Sequence, residues 1–185
     1  MSYTPIPSFP SGGDIRIGQN PNAANDYAHV KAFIAAFRPY AATASRRLSG
    51  LPIKFILALW AEESGWGRNE AQAAAQNWAN ISYTDPAPPA GNTGYYFSGR
   101  SRYCTFQGAS GFTNGFVSFF TDRAKPDSAV SQTYRSMLGQ LRADPNPSPE
   151  ALAAYLQQAQ YNSSSSFVPL VSSTYRTVAA HYGEA

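Results

Sequence analysis

Two adjacent glutamates, Glu62 and Glu63, lie at the end of an apolar run that starts at Leu51. At about 100° per residue on a helix, Glu63 falls about 20° from Ile56, in the middle of the apolar face. Glu62 falls on the side that carries Lys54, where we expect a solvated carboxylate. Because burial disfavours the charged form, this pattern predicts a raised pKa for Glu63. A carboxyl group that is protonated near pH 7 can donate a proton to a glycosidic oxygen, although pairing with an arginine is a structural alternative.

The segment that carries the two glutamates has the signals of a helix with defined ends. Pro52 suits the first turn, because the N–H that proline lacks would have no helical partner there. Gly65 and Gly67 end the helix directly after Glu63. The acid is therefore expected at the end of a buried helix, at the edge of a cleft.

Apolar residues at helical spacing predict further helices on both sides of this segment. The first begins at Asn25 or Asp26, ends at about Leu48 and carries His29 on its surface. The later helices are predicted at residues 70–77, from 110 onward, at 128–141, from 149 onward and at 167–182.

Helical spacing disappears between residues 81 and 106. Two short strands around Ser98-Gly99 indicate a β-hairpin in this part of the chain. The sequence therefore predicts a mainly α (α+β) fold with a small β-hairpin lobe. Residues 25–185 are expected to form this one domain, and residues 1–24, rich in Pro, Ser, Gly and Asn, an extended tail.

Composition excludes several classes of function. The net charge of +3 is too small to indicate a nucleic-acid-binding protein. Cys104 is the only cysteine and the two histidines are far apart, so we expect no metal site and no cofactor. No apolar stretch is long enough to span a membrane, and the N-terminal residues lack the basic and apolar regions of a signal peptide.

Two short motifs contain or follow the acid. Residues 63–67 read Glu-Ser-Gly-Trp-Gly, and residues 77–82 read Asn-Trp-Ala-Asn-Ile-Ser. Together with the Leu-Pro pair before the helix, they resemble the glucosaminidases of glycoside hydrolase family 73, bacterial enzymes of the lysozyme superfamily that cut peptidoglycan. By this resemblance Glu63 takes the place of the catalytic glutamate. Asn80 replaces a glycine of the family, and asparagine also tolerates a left-handed backbone.

The resemblance implies a lysozyme-like fold and further site residues. Residues 156–164 are similar to the family's Leu-x-x-Ala-Gly-Tyr-Ala-Thr-Asp run, in which the tyrosine lines the active site. Tyr161 matches that tyrosine, while Gln160 stands for the glycine and Ser164 for the aspartate. The structural alternative is that the Tyr161 hydroxyl ties down a loop. The side chains expected to bind substrate are Trp66, Asn77, Trp78 and Tyr83.

The second catalytic group is less clearly defined. The family's β-lobe usually carries a further acidic residue, but residues 94–106 contain no carboxylate here. Asp85 is the only acid between Glu70 and Asp122, and it is therefore the only local substitute. Alternatively, the acetamido group of the substrate acts as the nucleophile.

The resemblance implies hydrolysis of β-1,4 bonds of the peptidoglycan glycan strand after N-acetylglucosamine. A muramidase, a lytic transglycosylase and a non-catalytic glycan-binding module are the alternatives. A compact domain without a signal peptide is similar to the peptidoglycan-cutting effectors of type VI secretion systems, and a phage endolysin is the other expected class. An effector would be made in the cytoplasm, would act in the periplasm of a target cell, and would require an immunity protein that blocks the cleft.

Overall fold

The computed structural model describes residues 23–83, 88–121, 129–144 and 146–185. Within these ranges the fold is mainly α with one β-hairpin, as the sequence predicts. The elements are α1 (Ala23–Arg47), α2 (Ile53–Ser64), α3 (Glu70–Ala75), β1 (Asn92–Ser98), β2 (Ser101–Phe106), α4 (Gly108–Thr121), α5 (Ala129–Ala143), α6 (Pro149–Gln158) and α7 (Phe167–His181). The predicted boundary between tail and domain lies close to residues outside the described ranges and stays a prediction.

Helix α2 is the centre of the domain. Every residue from Phe55 to Ala61 is buried, because α1 packs on one side of the helix and α7 on another. Ala58 lies on the same side of α2 as Glu62, and it is fully buried. Helical spacing alone could not show that α7, from the end of the chain, covers this side.

The two ends of α2 form as the local sequence predicts. Pro52 occupies the N-cap position, and Gly65 adopts a left-handed conformation with a φ of 56°. The Trp66 N–H then donates to the Ala61 carbonyl at 2.8 Å, which closes the last turn. Glu63 therefore lies in the last turn of the helix, just before the chain reverses.

An aromatic cluster joins α2 to its neighbours. The Trp60 ring lies 4.8 Å from Phe112 and 5.2 Å from Phe116 of α4, both with edge-to-face geometry. Phe37 of α1 contacts Trp60 on another side at 6.1 Å. The aromatic stripe of α4 is therefore part of the core, and it gives the helix that carries the acid a rigid support.

The β-hairpin lies next to the segment that follows α3. Strands β1 and β2 are antiparallel, with Tyr96 opposite Tyr103, and the tight turn includes Gly99 at a φ of 58°. The Cys104 N–H donates to the Ile81 carbonyl at 2.9 Å, and Ser82 forms a bridge with Tyr103. Residues 79–82 are thereby held along β2, on the side that faces the end of α2.

His29 differs from its predicted position on the helix surface. The side chain is only 8% exposed, and its Nε2 atom hydrogen-bonds to the Trp66 carbonyl at 2.8 Å. The residue therefore supports the turn that ends α2. None of the helices in the described ranges has both the length and the apolar composition to cross a membrane.

Candidate active site

Glu63 lines a cavity of about 320 Å³ that is built from several elements. The end of α2 supplies the acid, and residues 79–82, Tyr103 of β2 and Phe119 of α4 supply further walls. The turn between α6 and α7 adds residues 160–163. This volume lies within the range of about 300–1,000 Å³ that is usual for ligand pockets.

Burial raises the pKa of Glu63 from 4.5 to about 7, and the neighbouring charge of Glu62 acts in the same direction. The side-chain amides of Asn162 and Asn80 act in the opposite direction, because they donate hydrogen bonds that stabilise the carboxylate. The raised pKa agrees with the prediction made from the position of Glu63 on the apolar face of the helix. In the described part of the chain, the hydrogen-bond partners of Glu63 are amides and no arginine pairs with it.

Asn162 reaches Glu63 from the turn after α6. Its Nδ2 atom donates to Glu63 Oε1 at 3.4 Å, while its Oδ1 atom accepts from the Ser164 N–H at 2.9 Å. The second bond sets the orientation of the amide, so that its donor side faces the acid. Sequence reasoning missed Asn162, although its position next to Tyr161 was a usable signal.

Tyr161 also lines the cavity, but its hydroxyl has a structural partner. The Oη atom donates to the Ala79 carbonyl at 2.8 Å, which ties the turn after α6 to the segment after α3. Burial, together with the nearby charge of Glu63, raises the pKa of Tyr161 well above its usual value, so the hydroxyl keeps its proton. Because the hydroxyl proton is donated to Ala79, the Tyr161 oxygen can still act as an acceptor.

Asn77 has a structural role that explains its place in the motif. Its amide donates to the carbonyls of Ile81 and Cys104, both at 3.0 Å, and its Oδ1 atom accepts from the Ile81 N–H at 2.8 Å. The side chain is fully buried. It therefore holds one wall of the cavity and does not line it. Asn80 then turns with a φ of 50°, the left-handed conformation that asparagine tolerates.

The structure places three predicted substrate-binding aromatic residues away from the cavity. Trp66 packs edge-to-face on Phe33 at 5.6 Å, and Trp78 lies 4.9 Å from the Phe37 ring, so both belong to the core. Tyr83 packs against Tyr95, with ring centroids 4.8 Å apart, on the face of the hairpin away from the cavity. Asp85 lies outside the described residues.

The hairpin has one face toward the cavity and one away from it. Successive residues of a strand point to opposite faces, and Tyr103 lines the cavity. Arg102 therefore points away, and its guanidinium group lies 5.2 Å from the Tyr83 ring. Tyr96, which is paired with Tyr103, is on the cavity face, with the two rings 5.7 Å apart. The alternation of residues in β2 was a signal for Tyr103 that our sequence reasoning did not use.

Glu62 is separated from the cavity. Its Oε2 atom accepts a hydrogen bond from Thr174 Oγ1 of α7 at 3.0 Å, and the side chain is half-buried. The expectation of an ordinary solvated carboxylate was therefore wrong, because α7 covers this side of α2. The two adjacent glutamates still have different environments, and Glu63 is the one in the cavity.

Comparisons with known proteins identify solved structures that share this fold. No protein-family model matches the sequence, and no curated protein matches it. Among solved structures, a chain of a type VI secretion system effector-immunity complex from Pseudomonas protegens superposes with a TM-score of 0.64 at 18% identity, covering 84% of this chain and 94% of that one.

Two other solved structures have the same fold. A peptidoglycan hydrolase from Sphingomonas sp. A1 gives a TM-score of 0.59 at 18% identity, covering 81% of this chain and 94% of that one. The glycoside hydrolase domain of FlgJ from Salmonella typhimurium gives 0.56 at 21% identity, covering 84% and 91%. At these identities, the similarities show a common fold over most of each chain.

Proposed function

We propose that this chain is a peptidoglycan hydrolase in which Glu63 is the general acid. The observation that carries the proposal is a carboxyl group with a pKa of about 7 in a cavity open to ligand. The fold around it is shared with peptidoglycan hydrolases, which supports the substrate class. A protonated carboxyl at neutral pH is the state that cleavage of a glycosidic bond requires.

In the proposed reaction, Glu63 donates its proton to the glycosidic oxygen as the bond from that oxygen to the sugar C1 carbon breaks. Positive charge develops on C1 and the ring oxygen, and the lone pairs of the Tyr161 hydroxyl are available to stabilise it. Water then adds to C1 and loses a proton. The ionised Glu63 is stabilised by the amides of Asn162 and Asn80 until it is reprotonated.

The second catalytic role has two candidates, Asp85 and the substrate's own acetamido group. Among the described residues that line the cavity, Glu63 is the only carboxylate. Asp85→Asn separates the candidates. Loss of activity identifies Asp85 as the base, whereas retained activity together with inhibition by a thiazoline analogue of N-acetylglucosamine identifies the acetamido route.

The test of the general acid compares two adjacent glutamine variants on purified peptidoglycan. Glu63→Gln should lower the rate by about 10²–10⁴-fold or more, because the general acid is lost. Glu62→Gln, whose partner is Thr174, is the matched control and should retain most of the activity. Equal loss in both variants would count against Glu63 as the acid. Binding of peptidoglycan without hydrolysis, by wild type and Glu63→Gln alike, would favour a non-catalytic glycan-binding module.

We propose that the bond cut is the β-1,4 bond after N-acetylglucosamine, which makes the enzyme an endo-β-N-acetylglucosaminidase. The basis is the motif at residues 63–67 and its resemblance to glucosaminidases. Mass analysis of the released fragments tests this assignment. N-acetylglucosamine at the reducing end supports it, N-acetylmuramic acid identifies a muramidase, and a 1,6-anhydro sugar identifies a lytic transglycosylase.

We further propose that the chain is an antibacterial effector that acts on the cell wall of a target cell. The similarity to a chain of an effector-immunity complex supports this proposal. The producing cell would then need an immunity protein, and we propose that this protein inserts into the Glu63 cavity. Expression in a Gram-negative host, with and without an added export signal, is the test. Lysis on export, with rescue by an exported neighbouring gene product, is expected. Lysis that instead needs a co-expressed holin, without a protective neighbour, identifies an endolysin.

A further inference from the structure

Two residues that line the cavity, Asn80 and Gln160, have left-handed backbone conformations, with φ angles of 50° and 59°. Glycine is favoured in this region, because a Cβ atom comes too close to the neighbouring backbone. Asparagine tolerates the conformation better than glutamine does. Each side chain is therefore placed at the cavity at a conformational cost that a glycine would avoid.

The turn at Gln160 requires the left-handed conformation but not the glutamine side chain. The Gln160 N–H donates to the Gln157 carbonyl at 2.9 Å, and the Tyr161 N–H donates to the Leu156 carbonyl at 3.0 Å. These are the backbone bonds of a helix end, where glycine is the usual residue. A glycine at this position would make the same bonds, so the side chain needs a different explanation.

Gln76, a third residue with a left-handed backbone, has a side chain with a structural role. Gln76 has a φ of 53°, and its Oε1 atom accepts a hydrogen bond from the Gly108 N–H, which joins α3 to α4. The Gln160 side chain is exposed, and its amide forms no hydrogen bond with any other residue in the described ranges. The Asn80 side chain lies near enough to Glu63 to lower the pKa of the acid. Gln160 and Asn80 therefore bring two amides to the cavity that contains the acid, and the Gln160 amide has no hydrogen-bond partner within the described residues.

The chemistry of these two side chains matches an acetylated amino sugar. A primary amide offers two donors and one acceptor, while an acetamido group offers one acceptor, its carbonyl, and one donor, its N–H. An amide is also uncharged. A lysine or an aspartate in the same place would shift the pKa of Glu63 and change its protonation at neutral pH.

We propose that Gln160 and Asn80 are specificity-determining residues whose amides bind the acetamido group of the sugar at the bond to be cut. The inference rests on the proposed function, because it assigns these residues a substrate of that class. Sugars with a free amine in place of the acetamido group would lose these hydrogen bonds.

The test uses Glu63→Gln protein, which binds without cutting, and measures affinity for chitotetraose in fully acetylated and deacetylated forms by calorimetry. Adding Gln160→Gly should raise Tm by about 1–3 °C, since the strain is relieved. It should also weaken binding of the acetylated sugar by about 5–10-fold and leave the deacetylated sugar unchanged. Gln160→Asn keeps an amide and should restore part of the affinity. Asn80→Gly is expected to weaken acetylated binding in the same way.

Ser49→Gly is the matched control, because Ser49 has a φ of 56° in the turn between α1 and α2 and does not line the cavity. It should raise Tm without a change in affinity. Unchanged acetylated binding in both Gln160→Gly and Asn80→Gly overturns this inference and leaves the proposed function intact. No binding by Glu63→Gln protein, together with no hydrolysis by wild type, overturns both.

Discussion

Replacing Glu63 with glutamine should change the pH dependence of folding stability, independently of any activity. Burial raises the pKa of the native carboxyl to about 7 from 4.5 in the unfolded chain. Between these values the native state binds more protons than the unfolded state, so the free energy of unfolding falls as pH rises. Above pH 7 the full cost of a buried carboxylate is present. Glutamine has a similar shape and cannot ionise, so the free energy of unfolding of the variant should not show this decrease with rising pH.

The size of the effect follows from the same two pKa values. Their difference corresponds to about 3 kcal/mol, at about 1.4 kcal/mol per unit. The side chain is partly open to the cavity, and solvent screening reduces the expected difference to about 2 kcal/mol. At pH 8, Glu63→Gln should therefore be more stable than wild type by about 2 kcal/mol, or about 4–8 °C in Tm. At pH 4 the two proteins should have nearly equal stability.

Urea unfolding of both proteins at pH values from 4 to 8 measures this difference directly. Glu62→Gln is the control. Its free energy of unfolding should still fall with rising pH by most of the wild-type amount, because burial is the largest cause of the raised Glu63 pKa and the charge of Glu62 is a smaller one. If the difference in free energy of unfolding between wild type and Glu63→Gln stays constant over this pH range, the conclusion that Glu63 is buried and protonated is refuted. The assignment of the general acid would then lose its physical basis.

Three other predictions concern the site and its support. Asn162→Ala removes a donor to the carboxylate, so the pKa of Glu63 should rise further and the basic limb of the rate profile should move up by about 0.5–1 unit. Tyr161→Phe should lower the rate and also the stability by about 1–2 kcal/mol in urea unfolding, since a buried carbonyl loses its partner. Gly115→Ala should cost about 1–3 kcal/mol, because its Cβ would overlap the Phe106 ring, whereas an unchanged urea midpoint would mean that the ring moves freely.

The features that were predictable from sequence depend on local interactions. Pro52 and Gly65 mark the ends of α2, and Ser148 caps α6 by accepting from the Ala151 N–H at 3.1 Å. Such signals act within one turn of helix and need no knowledge of the rest of the fold. The preference for Glu63 over Glu62 was local in the same sense, since it followed from the phase of a single helix.

The features that were not predictable depend on contacts between distant segments. Glu62 is covered by α7, more than a hundred residues later in the chain, and His29 is buried by the turn that contains Trp66. Trp66 and Trp78 belong to the two motifs that contain or follow the acid, but both side chains are buried in the core. Closeness in sequence to a catalytic residue therefore did not imply contact with the cavity.

Replacing a neutral hydrogen-bond partner of Glu63 with a cation tests whether a neutral partner is needed to keep the pKa of the acid high. The acid lies in the last turn of α2, where the helix dipole also disfavours a carboxylate and no basic residue compensates. Amides stabilise the ionised form only in part, whereas a positive charge within hydrogen-bond distance lowers a carboxyl pKa by about 1–3 units. Asn162→Lys should therefore move the basic limb of the rate profile to lower pH, opposite to the effect of Asn162→Ala. Activity at pH 7.5 should fall by at least about tenfold and recover in part near pH 5. A shift to higher pH in both variants would show that the side chain at residue 162 acts on the acid by a route other than its charge and hydrogen bond.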